Sequence, residues 1–545
     1  MRFLPRLAAC AAAAFLTGGA LAAEAPTVQA PAGTLEGRAA GAVDVFMGIP
    51  YARPPVGLLR WKPPADLPAW AGVRSAVEPG AACMQPRPRQ ASIYANPPAR
   101  MDEDCLFLNI WAPRGAKDAP VLVWVHGGSL TGGYGHEQAY DGARLAAEQG
   151  LIVVSVNYRL GVLGYLAHPA LSAESPDKVS GNYGLLDQIA ALRWVRRNIG
   201  AFGGDAGNVT LAGESAGALS VMYLMAAPDA RGLFAKAIAQ SAYMISTPEL
   251  KDERFGTPSA EMIGTYVAGT LGAPTPAALR NMDAEKLVEG AAKAGYFPLG
   301  TVDGKVLPRQ PVDSFDRGEQ APVPLLAGFN SGEIRSLRFL APPVPASPAA
   351  YEAEIRNRYG DLAEAFLRLY PSGDLEESIL AAPRDALYGW TAERLARAQT
   401  AQGQPAYLYY FDHGYPEADA KGLHAFHAAE IPYVFRTTDR TPPYWPRVPD
   451  TPAEQRLSAA MSGYWASFAA TGRPAAAGEP AWAPFGAEGA YMAFRGTPQP
   501  GTDLMPGMFA LHEETVCRRR LTGTMPWHWN TGVASPVLPA GGTGC

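Results

Sequence analysis

The pentapeptide Gly-Glu-Ser-Ala-Gly at residues 213–217 constrains this chain more than any other feature, because of what flanks it. The residues before it, Val209 to Ala212, read as a buried strand, and Ala216 to Met225 after it is a run of good helix formers. Glycines at 213 and 217 remove side chains where a strand-to-helix turn is tightest, so Ser215 can take a strained backbone conformation with its hydroxyl pointing outward. A bare GxSxG means little in a chain with 58 glycines. The strand and the helix supply the context that a nucleophile elbow needs.

The rest of the chain repeats that alternation. Short apolar runs at Val121 to Val125, Leu151 to Val156, Ala237 to Gln240, Pro324 to Phe329 and Tyr407 to Phe411 read as further buried strands. Between them lie stretches of helical period, such as Asp187 to Asn198, where Ile189, Leu192 and Val195 share a face. This pattern implies an α/β chain with a large, mostly parallel sheet covered by helices on both faces. The 51 prolines are spread along the whole length, so residues 24–530 read as one large domain. Pro-rich stretches at 341–349 and 442–449 read as surface loops, and residues 531–545, rich in Gly, Pro, Ala and Ser, as a loosely held tail.

Residues 1–23 combine Arg2 and Arg6, an apolar run from Leu7 to Leu21, and small residues at Ala20, Ala22 and Ala23. That is the pattern of a cleaved export signal, shorter than a membrane anchor, so the expected location is secreted or periplasmic, with no anchor. Its removal leaves 44 Lys and Arg against 51 Asp and Glu, a balance of −7 that argues against nucleic acid as a partner. Four cysteines then remain. In an oxidising compartment the spacing of Cys83 and Cys105 favours a disulfide whose loop of about twenty residues contributes roughly 3 kcal/mol in a chain-entropy model. Cys517 and Cys545 are a weaker candidate pair. No CxxC, HExxH or similar ligand spacing occurs, so no metal or cofactor is expected.

A serine hydroxyl is a weak nucleophile until a base takes its proton, and the oxyanion formed by its attack needs donors already in place. Upstream, the strand Val121 to Val125 runs into HGGSLTGG, where glycines let the backbone approach a ligand. The amides of Gly128, Ser129 and Ala216 are the natural oxyanion donors, and His126 reads as a support for the loop. A phosphate loop would need GK[ST], which is absent. On such a scaffold the acid and then the base follow the serine along the chain. Glu333, just past the strand Pro324 to Phe329, is a candidate acid, with Asp303 as rival. His427, ahead of the apolar run IPYVF, is a candidate base, with His424 as rival. Spacing alone leaves both choices open.

Several longer stretches resemble the type-B carboxylesterase and cholinesterase family of α/β-hydrolases: FMGIPYARPPVGLLRWKPP from Phe46, MDEDCLFLNIW from Met101, NYRLGVLGYL from Asn157, FGGDAGNVTLAGESAG from Phe202 and GLFAKAIAQSA from Gly232. The resemblance runs from about Val28 to about Ala493. It implies Ser215, Glu333 and His427 as the triad, Cys83 with Cys105 as the first disulfide, and Ser241 as a buried serine near the acid. The sequence departs from the family at Ser129, where a third oxyanion glycine is usual, and at Leu130, Ile334, Arg335 and Ala428. No tryptophan lies between Cys83 and Cys105, where cholinesterases carry a cation-stacking ring, which disfavours a choline ester.

The implied activity is cofactor-free hydrolysis of a small-molecule carboxylic ester through an acyl-enzyme. Two alternatives stand beside it. One is a catalytically dead adhesion module, which predicts a lost triad member and usually a membrane anchor, and the sequence shows neither. The other keeps the chemistry on a carbamate or amide bond, which sequence does not separate from an ester.

Overall fold

The computed structural model describes residues 25–88, 92–541 and 544–545. The leader expected at residues 1–23 lies outside them. The centre is an eleven-stranded sheet. Its strands are β1 (Arg38–Ala40), β2 (Val43–Pro50), β3 (Phe107–Pro113), β4 (Ala119–Val125), β5 (Ile152–Val156), β6 (Gly204–Glu214), β7 (Lys236–Gln240), β8 (Leu325–Asn330), β9 (Ala406–Phe411), β10 (Ala490–Phe494) and β11 (Pro498–Thr502). Their order across the sheet is β11-β10-β9-β8-β7-β6-β4-β5-β3-β2-β1. From β5 through β4 and β6 to β10 every neighbouring pair is parallel. Antiparallel pairs occur only towards the two edges.

Strand side chains alternate between faces, and here both faces are buried, which is why these strands read as nearly unbroken apolar runs. Along β4, Val121, Val123 and Val125 enter one core, while Leu122 and Trp124 enter the other. The first core is closed by α1 (Tyr183–Asn198), α2 (Ala216–Ala226) and α3 (Trp390–Ala401), and the second by α4 (Pro452–Thr471). The ends of α4 are written in its sequence. The Thr451 hydroxyl accepts from the Glu454 amide, Pro452 occupies the first turn, and Gly472 closes the helix at φ 75°. This mostly parallel sheet between two helical layers is the α/β-hydrolase architecture.

Helix α1 starts at Tyr183, ahead of the expected Asp187. Asp187 is fully buried inside the helix, where its carboxylate accepts from the Arg159 guanidinium at 2.7 and 2.8 Å and from the Arg159 amide at 3.0 Å. Disulfides join Cys83 to Cys105 and Cys517 to Cys545. Among the described residues no helix is long and apolar enough to cross a membrane, and no group of three or more His, Cys, Asp or Glu could hold a metal ion.

Two loop regions are more tightly integrated than their composition implies. The 442–449 stretch carries the buried Trp445. In the final stretch, Ser535 bonds the Tyr359 hydroxyl at 2.8 Å and the Leu538 amide donates to Arg358 O at 2.7 Å, so residues 531–538 lie fastened to the body beyond α5 (Met508–Thr522).

Candidate active site

Parallel strands deliver their carboxyl ends to one edge of a sheet, and loops leaving that edge are where sites form in open α/β folds. Strand β6 runs straight into Ser215, β8 is followed by Glu333, and β9 leads to the loop holding His427. The expected triad residues are thus delivered from one edge, and Ser215 and His427 line the same cavity of about 640 Å³.

Ser215 sits at φ 55°, ψ −122°, a region that a side-chain-bearing residue enters only when the surroundings force it. The two glycines make the turn possible. A Cβ on Gly217 would fall 2.1 Å from Val125 O, and one on Gly213 would fall 2.6 Å from the backbone of Gly217. The Ser215 amide is held by Gln240 O at 2.9 Å, and its hydroxyl makes no helix-capping bond. The hydroxyl therefore stays available at the cavity wall.

The glycine loop after β4 faces it. Gly128 has φ 105°, and Ser129 and Leu130 follow in the left-handed region at 56° and 55°. The amides of Thr131 and Gly132 both donate to Gly128 O, at 2.9 and 3.0 Å, which folds the loop back on itself. Among the described residues the amides of Gly128, Ser129 and Ala216 donate to no acceptor within the protein, as donors awaiting a ligand oxyanion must. His126 stacks on Tyr158 with ring centroids 4.6 Å apart, and its Nδ1 lies 2.9 Å from Gly127 O. Burial lowers its pKa to about 4, so it supports the loop as a neutral ring.

Glu333 is fully buried. Its Oε1 accepts from the Ser241 hydroxyl at 2.7 Å and the Asn330 amide at 2.8 Å, and its Oε2 makes a short contact with His427 Nδ1. The loops carrying the two residues are stitched together, since the Gly332 amide donates to Ala425 O at 2.8 Å. The Tyr94 hydroxyl holds the main chain of His427 by donating to its carbonyl oxygen at 2.8 Å. A second buried carboxylate, Glu430, accepts from Gln240 Nε2 at 2.9 Å and Asn330 Nδ2 at 2.6 Å.

The far nitrogen of the imidazole faces an unexpected neighbour. His427 Nε2 lies 3.1 Å from Oε1 of Glu214, the variable residue of the GxSxG motif, and no hydrogen bond joins it directly to Ser215 in this resting arrangement. The contact is close but poorly aligned, and Glu214 Oε1 has no directed donor. Burial pushes the Glu214 carboxyl up to about 8. Burial also disfavours the charged imidazole, but the charges of Glu214 and Glu333 and the bond from Glu333 outweigh it, and the pKa of His427 rises to about 9. Sequence reading passed over Glu214 as an acidic partner although it stands inside the motif that singled out Ser215.

Both rivals are occupied elsewhere. Oδ1 of Asp303 collects the amides of Lys305, Val306 and Leu307, which is a turn-forming role. His424 lies between Asp419 at 2.9 Å and Asp412 at 3.2 Å and is absent from the cavity wall.

Comparison with known proteins adds an independent observation. The sequence model of the Carboxylesterase family matches residues 24–505, which leaves α5 and everything after it outside the matched span. The chain is 37% identical to the fumonisin B1 esterase of Sphingopyxis macrogoltabida over 480 residues, 85% of each protein. It is 36% identical to the para-nitrobenzyl esterase of Bacillus subtilis over 450 residues, 81% of this chain and 89% of that one. The crystal structure of a carboxylesterase from Geobacillus stearothermophilus superposes with a TM-score of 0.76 at 33% identity, covering 89% of this chain and 99% of the other.

Proposed function

Because the chain belongs to the type-B carboxylesterase family and is a carboxylic-ester hydrolase of the serine type, we propose that Ser215, His427 and Glu333 are the residues that carry out the reaction. The Ser215 hydroxyl attacks the ester carbonyl while His427 Nε2 takes its proton. The tetrahedral oxyanion is met by the amides of Gly128, Ser129 and Ala216. The imidazolium, held by Glu333, passes the proton to the departing alkoxide and leaves an acyl-Ser215 ester. Water then gives a proton to His427 and attacks the acyl carbon, and collapse of the second intermediate releases the carboxylic acid and restores the serine. All groups needed belong to the chain.

The observation that carries this reading is the line from Ser241 through Glu333 to His427, which ends in the cavity wall containing the strained Ser215. The cavity is large and mainly apolar, which suits an ester with a substantial hydrocarbon arm. The leader pattern and the two disulfides support an exported enzyme. The test is a pair of substitutions. His427→Ala should lower kcat for p-nitrophenyl acetate by ~10³-fold or more, and His424→Ala should keep most of it. The reverse pattern would move the base to the other histidine.

A further inference from the structure

One wall of the cavity is supplied by a segment to which the reaction gives no part. His528 and Trp529 line it beside Tyr243, Ile245 and Phe297. Both lie outside the span matched by the family, in a stretch with no strand and no long helix to hold it.

Individual anchors hold it instead. Arg519, on α5, is completely buried. Its guanidinium donates to Trp529 O at 2.9 Å and Pro536 O at 2.7 Å, and makes a short contact with Asn530 Oδ1. Trp527 is buried edge-on against Trp390, with ring centroids 6.2 Å apart. The Ser246 amide donates to His528 Nδ1 at 3.2 Å. Beyond these contacts, the Cys517–Cys545 disulfide ties the end of the chain back to α5. Burying an arginine is costly, and its two terminal nitrogens reach three acceptors within residues 529–536, which fixes the course of that stretch.

Trp529 itself is the exception within this scaffold. Its neighbours are buried, but it is 39% exposed at the cavity wall. A large flat ring on a fixed main chain, packed on the His528 ring with centroids 4.9 Å apart and left partly open, can cover an apolar or aromatic ligand group at little cost in conformational entropy.

We propose that residues 527–530 form a specificity clamp in which Trp529 recognises an aromatic or extended apolar arm of the ester. Arg519 and the Cys517–Cys545 disulfide are positioning elements that hold the ring in place. The proposal rests on the reading of this cavity as the ester site.

The test compares 2-naphthyl acetate with ethyl acetate. In Trp529→Ala the ratio of their kcat/KM values should fall at least tenfold, with the loss in KM of the naphthyl ester, and Trp529→Phe should restore it to within threefold. The paired Cys517→Ser and Cys545→Ser replacement, which frees the end of the chain without touching the cavity, should lower the ratio at least threefold. Titration of 2-naphthol into Ser215→Ala protein reads the wall without any turnover, and adding Trp529→Ala should weaken its Kd at least fivefold. If no ester is turned over but naphthol binding still depends on Trp529, the catalytic reading fails and the clamp stands. A ratio and a naphthol Kd that both stay within twofold in Trp529→Ala would overturn the clamp.

Discussion

His427 Nε2 lies 3.1 Å from the carboxylate of Glu214, the residue immediately before Ser215, so base and elbow meet through a buried acid. For His427 to take the serine proton, Nε2 must be unprotonated and turn its lone pair from Glu214 to the serine hydroxyl, a small adjustment of the kind that substrate binding brings about in apo sites. The two groups bind protons more tightly than they would in water. Their coupling governs the pH behaviour.

A general base works in its neutral form, so kcat/KM should rise with pH through the pKa of His427, which Glu214 and Glu333 hold up near 9 against the effect of burial. Glu214→Gln removes one of those charges and should move the rising limb to lower pH. The measurement is a kcat/KM profile from pH 5 to 10 for both proteins. A limb that stays in place or moves up would show that Glu214 does not set the basicity of His427.

The same shift has a sign in stability. His427 binds its proton more tightly in the folded chain, so this contribution is complete below the ordinary histidine value of 6.5 and is lost as pH rises through about 9. The raised Glu214 acts in the same direction, with its contribution complete below 4.5 and lost through about 8. The melting temperature should fall across this range, and more steeply than in Glu214→Gln. Parallel curves for the two proteins would contradict the coupling.

The glycine loop allows a steric test of the oxyanion donors. A Cβ at Gly128 would lie 2.2 Å from Gly132 O, at a φ of 105° that L residues avoid. Gly128→Ala should therefore displace the loop amides and lower kcat by ~10²-fold or more. A protein that keeps its melting temperature and full kcat after this change would remove the loop from the mechanism.

The Arg159–Asp187 pair is enclosed by the first core, and Asp187→Asn leaves a buried guanidinium without its counter-charge. Breaking such a pair costs about 3–5 kcal/mol, while replacing both partners by apolar residues is far milder. Urea denaturation of Asp187→Asn and of the double variant Arg159→Met, Asp187→Leu separates the two. A loss under about 1 kcal/mol in the single variant would mean that water reaches the site.

How much of this was legible in the sequence follows from what each residue depends on. Val121 to Val125 and Val209 to Ala212 were readable as strands because burial on both faces leaves an apolar run in the sequence itself. Ser215 was readable because its strain must be built from adjacent glycines. Glu333 and His427 were narrowed by chain order, but spacing did not separate them from Asp303 and His424, because the three amides on Asp303 and the two carboxylates around His424 are set by loop paths. Glu214 stood in the motif, yet its role depends on a loop more than two hundred residues later coming within 3.1 Å. Trp529 and Trp445 were hidden for a similar reason. Trp445 is fixed by Tyr94 and Phe426, which come from other loops, and Arg519 makes no periodic pattern with the residues it holds.

One serine hydroxyl must form the covalent intermediate, and mass spectrometry of the protein after reaction with a fluorophosphonate probe locates it. One adduct per chain, on Ser215, is expected, with labelling and ~10³-fold or more of ester turnover lost together in Ser215→Ala. An adduct on any other residue, or turnover that persists in Ser215→Ala, would contradict it.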